Sequence, residues 1–151
     1  MTVLRAFLAL VLLGLVQCVT NAHAEEPRDY VVYTTASYHF DRSDQRNGGR
    51  GYNENNGGFG LERRLSDTWS VSAGFYENSF NRQTNYLFGG YTPWEIATWR
   101  IGTTFGIVSG YDDGRLAPWL TGIATRDFGS FGVNVVFAPA ALALQLKWRL
   151  D

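Results

Sequence analysis

The sequence predicts an all-β fold: an eight-stranded antiparallel up-and-down transmembrane β-barrel that follows a cleaved signal peptide. Three observations predict it. First, large apolar residues alternate with polar or small ones at a period of two, and no segment after the leader keeps helical spacing over ten residues. Second, the polar-or-small face combines Gly, Ser and Thr with Arg64, Arg100, Lys147 and Arg149. A soluble domain buries its large residues and shows its charges, whereas glycine beside charge suits a narrow, polar barrel interior. Third, a secretory leader precedes strands of about ten residues, the length that crosses a bilayer when tilted.

The leader reads MTVLRAFLALVLLGLVQCVTNAHA. Arg5 precedes an apolar run from Ala6 to Val16, and Ala22-His23-Ala24 closes the segment with a small-x-small pattern, so cleavage is expected after Ala24. The run is shorter than the ~20 residues a membrane-spanning helix needs. Gln17, directly before Cys18, disfavours lipid attachment there. Residues 25–151 remain as one barrel domain of 127 residues. Cleavage would remove the single cysteine and His23, leaving no thiol or disulfide chemistry and His39 as the last histidine. With one histidine and no carboxylate cluster at ligand spacing, no metal site is expected. The mature chain would hold 12 basic and 14 acidic residues, a net charge of −2, and no basic surface that suggests nucleic acid. We expect a monomer.

The expected strands are 30–41, 57–66, 68–79, 84–93, 98–109, 116–126, 130–138 and 141–150. In the first, Tyr33, Thr35, Ser37 and His39 share a face. A long polar loop, Arg42–Asn56, leads through YNENN into the second, where Gly58 and Gly60 alternate with Phe59 and Leu61. A tight turn at Ser66-Asp67 follows. The third strand sets Trp69, Val71, Ala73 and Phe75 against Ser70, Ser72, Gly74, Tyr76 and Asn78. The fourth lies between polar Asn81–Gln83 and the compact connection Pro93–Ala97. The fifth opposes Trp99, Ile101, Thr103, Phe105 and Ile107 to Arg100, Gly102, Thr104 and Gly106. Tyr111-Asp112-Asp113-Gly114 turns into the sixth, and Phe128-Gly129-Ser130 into the seventh, where Phe131, Val133, Val135 and Phe137 oppose Gly132, Asn134 and Val136. After Ala138-Pro139-Ala140, the eighth strand aligns Leu142, Leu144, Leu146, Trp148 and Leu150 against Ala141, Ala143, Gln145, Lys147 and Arg149. Tyr30, Trp69, Tyr91, Trp94, Trp99 and Trp148 fall near strand ends, as in interfacial girdles, and an even strand count puts both ends in the periplasm. A soluble, lipocalin-like barrel would share the alternation.

His39 ends the first strand and points inward; Asn78 and Ser79 end the third at the same rim. The ordered stretches YHFDRSDQ, YNENNGGFGLE, ENSFN, YLFGGY and FGVNVVFAPA resemble the lipid A palmitoyltransferase (PagP) family across nearly the whole mature chain. Tyr38-His39 matches that family's Trp-His pair. Tyr52-Asn53-Glu54 and Gly58–Leu61 match its Tyr-Asn-Glu and Gly-Phe-Gly-Leu. Asn78-Ser79-Phe80-Asn81 matches its Asp-Ser-Trp-Asn.

The resemblance implies an integral barrel of the outer membrane that moves an acyl chain from a phospholipid to a hydroxyl of lipid A, without metal or soluble cofactor. It assigns His39, Asn78 and Ser79 to the catalytic rim: His39 would take the attacking hydroxyl's proton, and Ser79 would orient or polarise the reacting groups. It places Gly90 at the floor of an acyl pocket, and Pro118 and Pro139 where weakened strand pairing admits lipid sideways. The family's aspartate is Asn78 here, which can hold an imidazole but carries no charge; Asp41 and Glu54 are other acids within reach of His39. The family's N-terminal amphipathic helix has no counterpart in Glu25–Asp29. The alternative is a non-catalytic barrel that keeps the scaffold for structural, surface-interaction or lipid-binding work.

Overall fold

The eighth strand pairs with the first, and that ladder closes the sheet. The computed structural model describes residues 27–41, 51–112 and 115–150. Its strands are β1 (Arg28–His39), β2 (Asn55–Arg64), β3 (Trp69–Glu77), β4 (Gln83–Ile96), β5 (Trp99–Asp112), β6 (Arg115–Phe128), β7 (Phe131–Ala138) and β8 (Ala141–Leu150). They follow one another in chain order around a closed antiparallel barrel of eight strands. Val31 lies opposite Leu61 on one side and Trp148 on the other, so β1 leaves no open edge. The expected leader, residues 1–24, lies outside the described residues. The strand ends bearing His39 and the turn at Asn78–Arg82 define the upper rim. The turns at Ser66–Thr68, Ala97–Thr98 and Gly129–Ser130 define the lower one.

The alternation sorts side chains as expected. Leu61 is 60% exposed on the outer surface, and Leu144, Trp148 and Leu150 are exposed along β8, while Lys147 between them is 0% exposed. Gly58 and Gly60 face inward and Phe59 outward, which accounts for the glycine alternation after YNENN. A Cβ at Gly60 or Gly74 would collide with the hydroxyl end of Tyr86, whose ring crosses the interior at that level.

Below this level the interior is ionic. Lys147 Nζ lies 3.1 Å from Glu62 Oε1 and 3.0 Å from Asp127 Oδ1, and donates to Thr125 Oγ1 at 2.9 Å. Arg64 reaches Glu62 at 3.5 Å, and Arg100 pairs with Asp127. Buried charge is costly unless it is paired and hydrogen-bonded, and here each carboxylate meets cations from other strands. The network fills the lower half, so the space inside opens only upward.

Four expectations are corrected. A register shift between Thr34 and Ala36 makes Thr35 an extra residue in β1. The bulge reverses the facing below it: Tyr33, expected inside with His39, lies outside with its ring 5.0 Å from Phe59, and the Thr35 hydroxyl donates to the Leu144 carbonyl. Tyr30 is no girdle residue; it is buried with its ring under Lys147 Nζ at 4.6 Å. β4 runs through Pro93 to Ile96, because the shift between Tyr91 and Trp94 absorbs the proline. Its turn is then only Ala97–Thr98, both at positive φ. β5 and β6 continue past the expected ends to Asp112 and Arg115, with an irregularity around Gly110 at φ 84°.

Candidate functional site

At the upper rim the first and third strands deliver one side chain each to a common point. His39 Nε2 and Ser79 Oγ are 2.8 Å apart, a hydrogen bond between residues 40 apart in sequence. The β1 bulge turns His39 inward. Ser79 belongs to a tight turn held by the Asn81 N–H to the Asn78 carbonyl at 3.0 Å and the Asn78 N–H to the Arg82 carbonyl at 2.8 Å. The imidazole is buried and stacks on Tyr52, with centroids 4.2 Å apart and planes 15° from parallel. Phe80 meets the edge of Tyr52, and Tyr111 lies against Phe80. His39 Nδ1 has no hydrogen-bond partner. The Glu54 carboxylate accepts the His39 backbone N–H at 3.2 Å, which places an acid beside the histidine.

Asn78 is set apart from the imidazole. Its Nδ2 donates to Thr84 Oγ1 and to the Gly110 carbonyl, each at 3.0 Å. Its Oδ1 accepts the Phe80 N–H at 2.9 Å and the Arg82 N–H at 3.1 Å. All of these bonds fasten the turn that presents Ser79, and none reaches His39. Glu77 faces outward, as alternation requires, and Asp41 is exposed.

The pair stands at the mouth of a cavity of about 310 Å³, within the range of ~300–1,000 Å³ typical of ligand pockets. Aromatic rings line its upper part, and Phe88, Ile123 and Val136 form an apolar waist. On the β7–β8 side the wall is small: Ala138, Pro139 and Ala140 pass into Ala141 and Ala143.

Gly90 is at the floor, where a Cβ would strike Ser70 Oγ. Its surroundings are polar: Ser70 and Thr104 are its cross-strand partners, and Ser72, Thr34, Gln145, Asn134 and Glu62 line the same depth. Pro139 lines the cavity; Pro118 is exposed on the outer face of β6 opposite Ile107. The β6–β7 ladder ends at Gly122 opposite Phe137, so the β6 stretch Arg115–Thr121, which contains Pro118, extends above it with no β7 partner among the described residues. Leu116 and Leu120 flank this gap on the outside.

Alternation alone did not reveal that Tyr52 stacks on His39, nor that Trp119, its ring 5.2 Å from Tyr111, and Asn134 line the cavity. Tyr52 reaches His39 from a loop, and Trp119 and Asn134 read simply as strand residues. The polar cluster at 52–56 was the available signal for Tyr52. The chain matches no protein-family model and no curated protein sequence.

Proposed function

We propose that this barrel resides in the outer membrane and transfers an acyl chain from a phospholipid to a hydroxyl of lipid A. The observation that carries the reading is the 2.8 Å contact between His39 Nε2 and Ser79 Oγ at the mouth of a cavity with an apolar waist. Large apolar residues cover the outside and paired charges occupy the inside, the distribution that a lipid environment selects. The donor chain would pass sideways through the gap above the β6–β7 ladder and seat below the rim.

His39 Nε2 would then take the proton of the acceptor hydroxyl as its oxygen attacks the ester carbonyl carbon. The resulting tetrahedral centre collapses with loss of the donor's glycerol oxygen, and the imidazolium returns the proton to that oxygen. The products are acylated lipid A and a lysophospholipid. Ser79 donates its hydroxyl to neutral His39 in the resting site and turns to the carbonyl oxygen when ester arrives. Stacked Tyr52 and nearby Glu54 favour the positive ring that forms at this step.

A second reading, a lipid-binding barrel without catalysis, is favoured by one observation: the side chain at 78 fastens its turn and leaves His39 Nδ1 without a partner. Mass spectrometry of lipid A from cells with and without the protein separates the two. The transfer reading requires an added acyl chain that disappears in His39→Ala. An unchanged lipid A leaves the binding reading, and a gain that persists in His39→Ala overturns the mechanism that rests on His39.

A further inference from the structure

Among the described residues, the buried polar side-chain atoms without hydrogen-bond partners fall in two groups: Arg64 Nε, Arg100 Nε and Asp127 Oδ1 in the ionic network, and four on residues of the cavity wall. Ser37 Oγ, His39 Nδ1, Asn56 Oδ1 and Asn134 Oδ1 lack a hydrogen-bond partner, and all four residues line the cavity. Leaving such a group unsatisfied costs about 1–3 kcal/mol, so a cavity that collects them suits a ligand with polar atoms. Those of His39, Asn56 and Ser37 face the upper part, where an ester would sit. Asn134 is at the other end.

Its orientation is fixed by its neighbours. Asn134 Nδ2 donates to Glu62 Oε2 at 3.1 Å and to Gln145 Oε1 at 3.3 Å. A carboxylate held by Lys147 and Arg64 offers no proton, so the amide nitrogen must face it and the carbonyl oxygen must face away. Gln145 is fixed in turn, because its Oε1 must face the Asn134 amide N–H, which leaves its Nε2 to donate to Thr34 Oγ1 at 3.2 Å. Asn134, 1% exposed, therefore holds a bare acceptor turned away from Glu62, on a residue that lines the cavity.

The floor as a whole is unlike a dry hydrocarbon pocket. Ser70 and Thr104 flank Gly90 across the strands, Ser72 is the next inward residue on β3, and Thr34, Gln145 and Asn134 are joined by hydrogen bonds on the facing wall. From His39 to Thr34 along β1 the well descends roughly 10–13 Å at the strand tilt usual in barrels, a medium-chain depth.

We propose that the cavity takes a medium-length acyl chain that carries a hydrogen-bond donor, such as a hydroxyl, near its distal end, and that Asn134 Oδ1 accepts that donor. This rests on the reading of the cavity as an acyl site and names the class of chain. The carboxyl end sits at His39 and Ser79, the methylenes fill the waist, and the distal hydroxyl replaces the missing partner at the floor.

Titration calorimetry on the purified barrel in zwitterionic micelles tests this with three probes: laurate, ω-hydroxylaurate and ω-methoxylaurate. The hydroxyl and the methoxy group are both polar, but only the first donates. Tighter binding of ω-hydroxylaurate than of the other two, by about 10-fold, supports the proposal, as does loss of that preference in Asn134→Leu. Comparing the probes on the unaltered protein decides the matter even where Asn134→Leu fails to fold. Equal binding of all three, or tightest binding of laurate, overturns the proposal and leaves the acyl site standing. Binding of none overturns the acyl-site reading itself.

Discussion

Ser79 meets His39 because its neighbour Asn78 spends every polar atom on the turn between β3 and β4. Two donors from Nδ2 and two acceptances at Oδ1 fix Phe80, Arg82, Thr84 and Gly110 around it. Asn78→Asp therefore does not hand His39 a charge. It sets a carboxylate oxygen against the Gly110 carbonyl, and we predict a loss of about 1–3 kcal/mol, read as a lower urea midpoint for unfolding in micelles. Glu54 is the acid placed to assist the imidazole. Glu54→Gln should slow acyl transfer by about 10-fold or more without moving that midpoint, and a rate equal to the parent's would remove Glu54 from the chemistry. The base works only while neutral, so transfer should fall as the medium is acidified. Parity along two strands was enough to bring His39 and Ser79 to one rim. It could not show that Asn78 turns away, because hydrogen bonds to Gly110 and Thr84 depend on a register that alternation does not encode.

Single-residue irregularities decide which way a strand presents its chemistry. The extra residue at Thr35 lets Tyr30, Val32 and Thr34 face inward below it and Ser37 and His39 face inward above it. Deleting Thr35 removes the bulge and joins Thr34 directly to Ala36, a regular alternation in which His39 still faces inward, so heat-modifiable gel migration and transfer should both be retained. Transfer lost from a barrel that still shows heat-modifiable migration would show that the deletion turns His39 away and that Thr35 is not a simple extra residue. The strands themselves were readable from the sequence, since most of each follows a period of two and ends at turn-forming residues. The bulges were not, because an inserted residue leaves composition unchanged; hence the misplacement of Tyr33 and the early ends given to β4 and β5. At the floor, a side chain at Gly90 would displace the Ser70 hydroxyl and extend into the lower well. Gly90→Met should fill the lower well and shift the transferred chain to a shorter one, by lipid A mass spectrometry; an unchanged chain length would place the methylenes elsewhere.

The whole barrel is inverted relative to a soluble protein: its ions are inside and its leucines outside. Glu62, Arg64, Arg100, Asp127 and Lys147 close the lower half, and Lys147 joins both carboxylates. Lys147→Met leaves two buried acids short of their cation and should cost about 3–5 kcal/mol of unfolding stability. This inversion was the broadest feature of the sequence, visible in the row Leu142, Leu144, Leu146 beside Gln145 and Lys147. The polar floor was less plain, because Ser72 on β3 and Asn134 on β7 have three strands between them along the chain and line one cavity only once the sheet closes. Everything assigned to the rim depends on lipid surrounding the leucine row. Nitroxide labels at Leu61 and Leu144, and in separate chains at Ser72 and Gln145, can be followed in phospholipid vesicles by their relaxation with oxygen and with a water-soluble nickel chelate. The account predicts strong relaxation by oxygen and little by nickel at Leu61 and Leu144, and weak relaxation by oxygen at Ser72 and Gln145. Nickel reaching the leucine positions as readily as oxygen would contradict it.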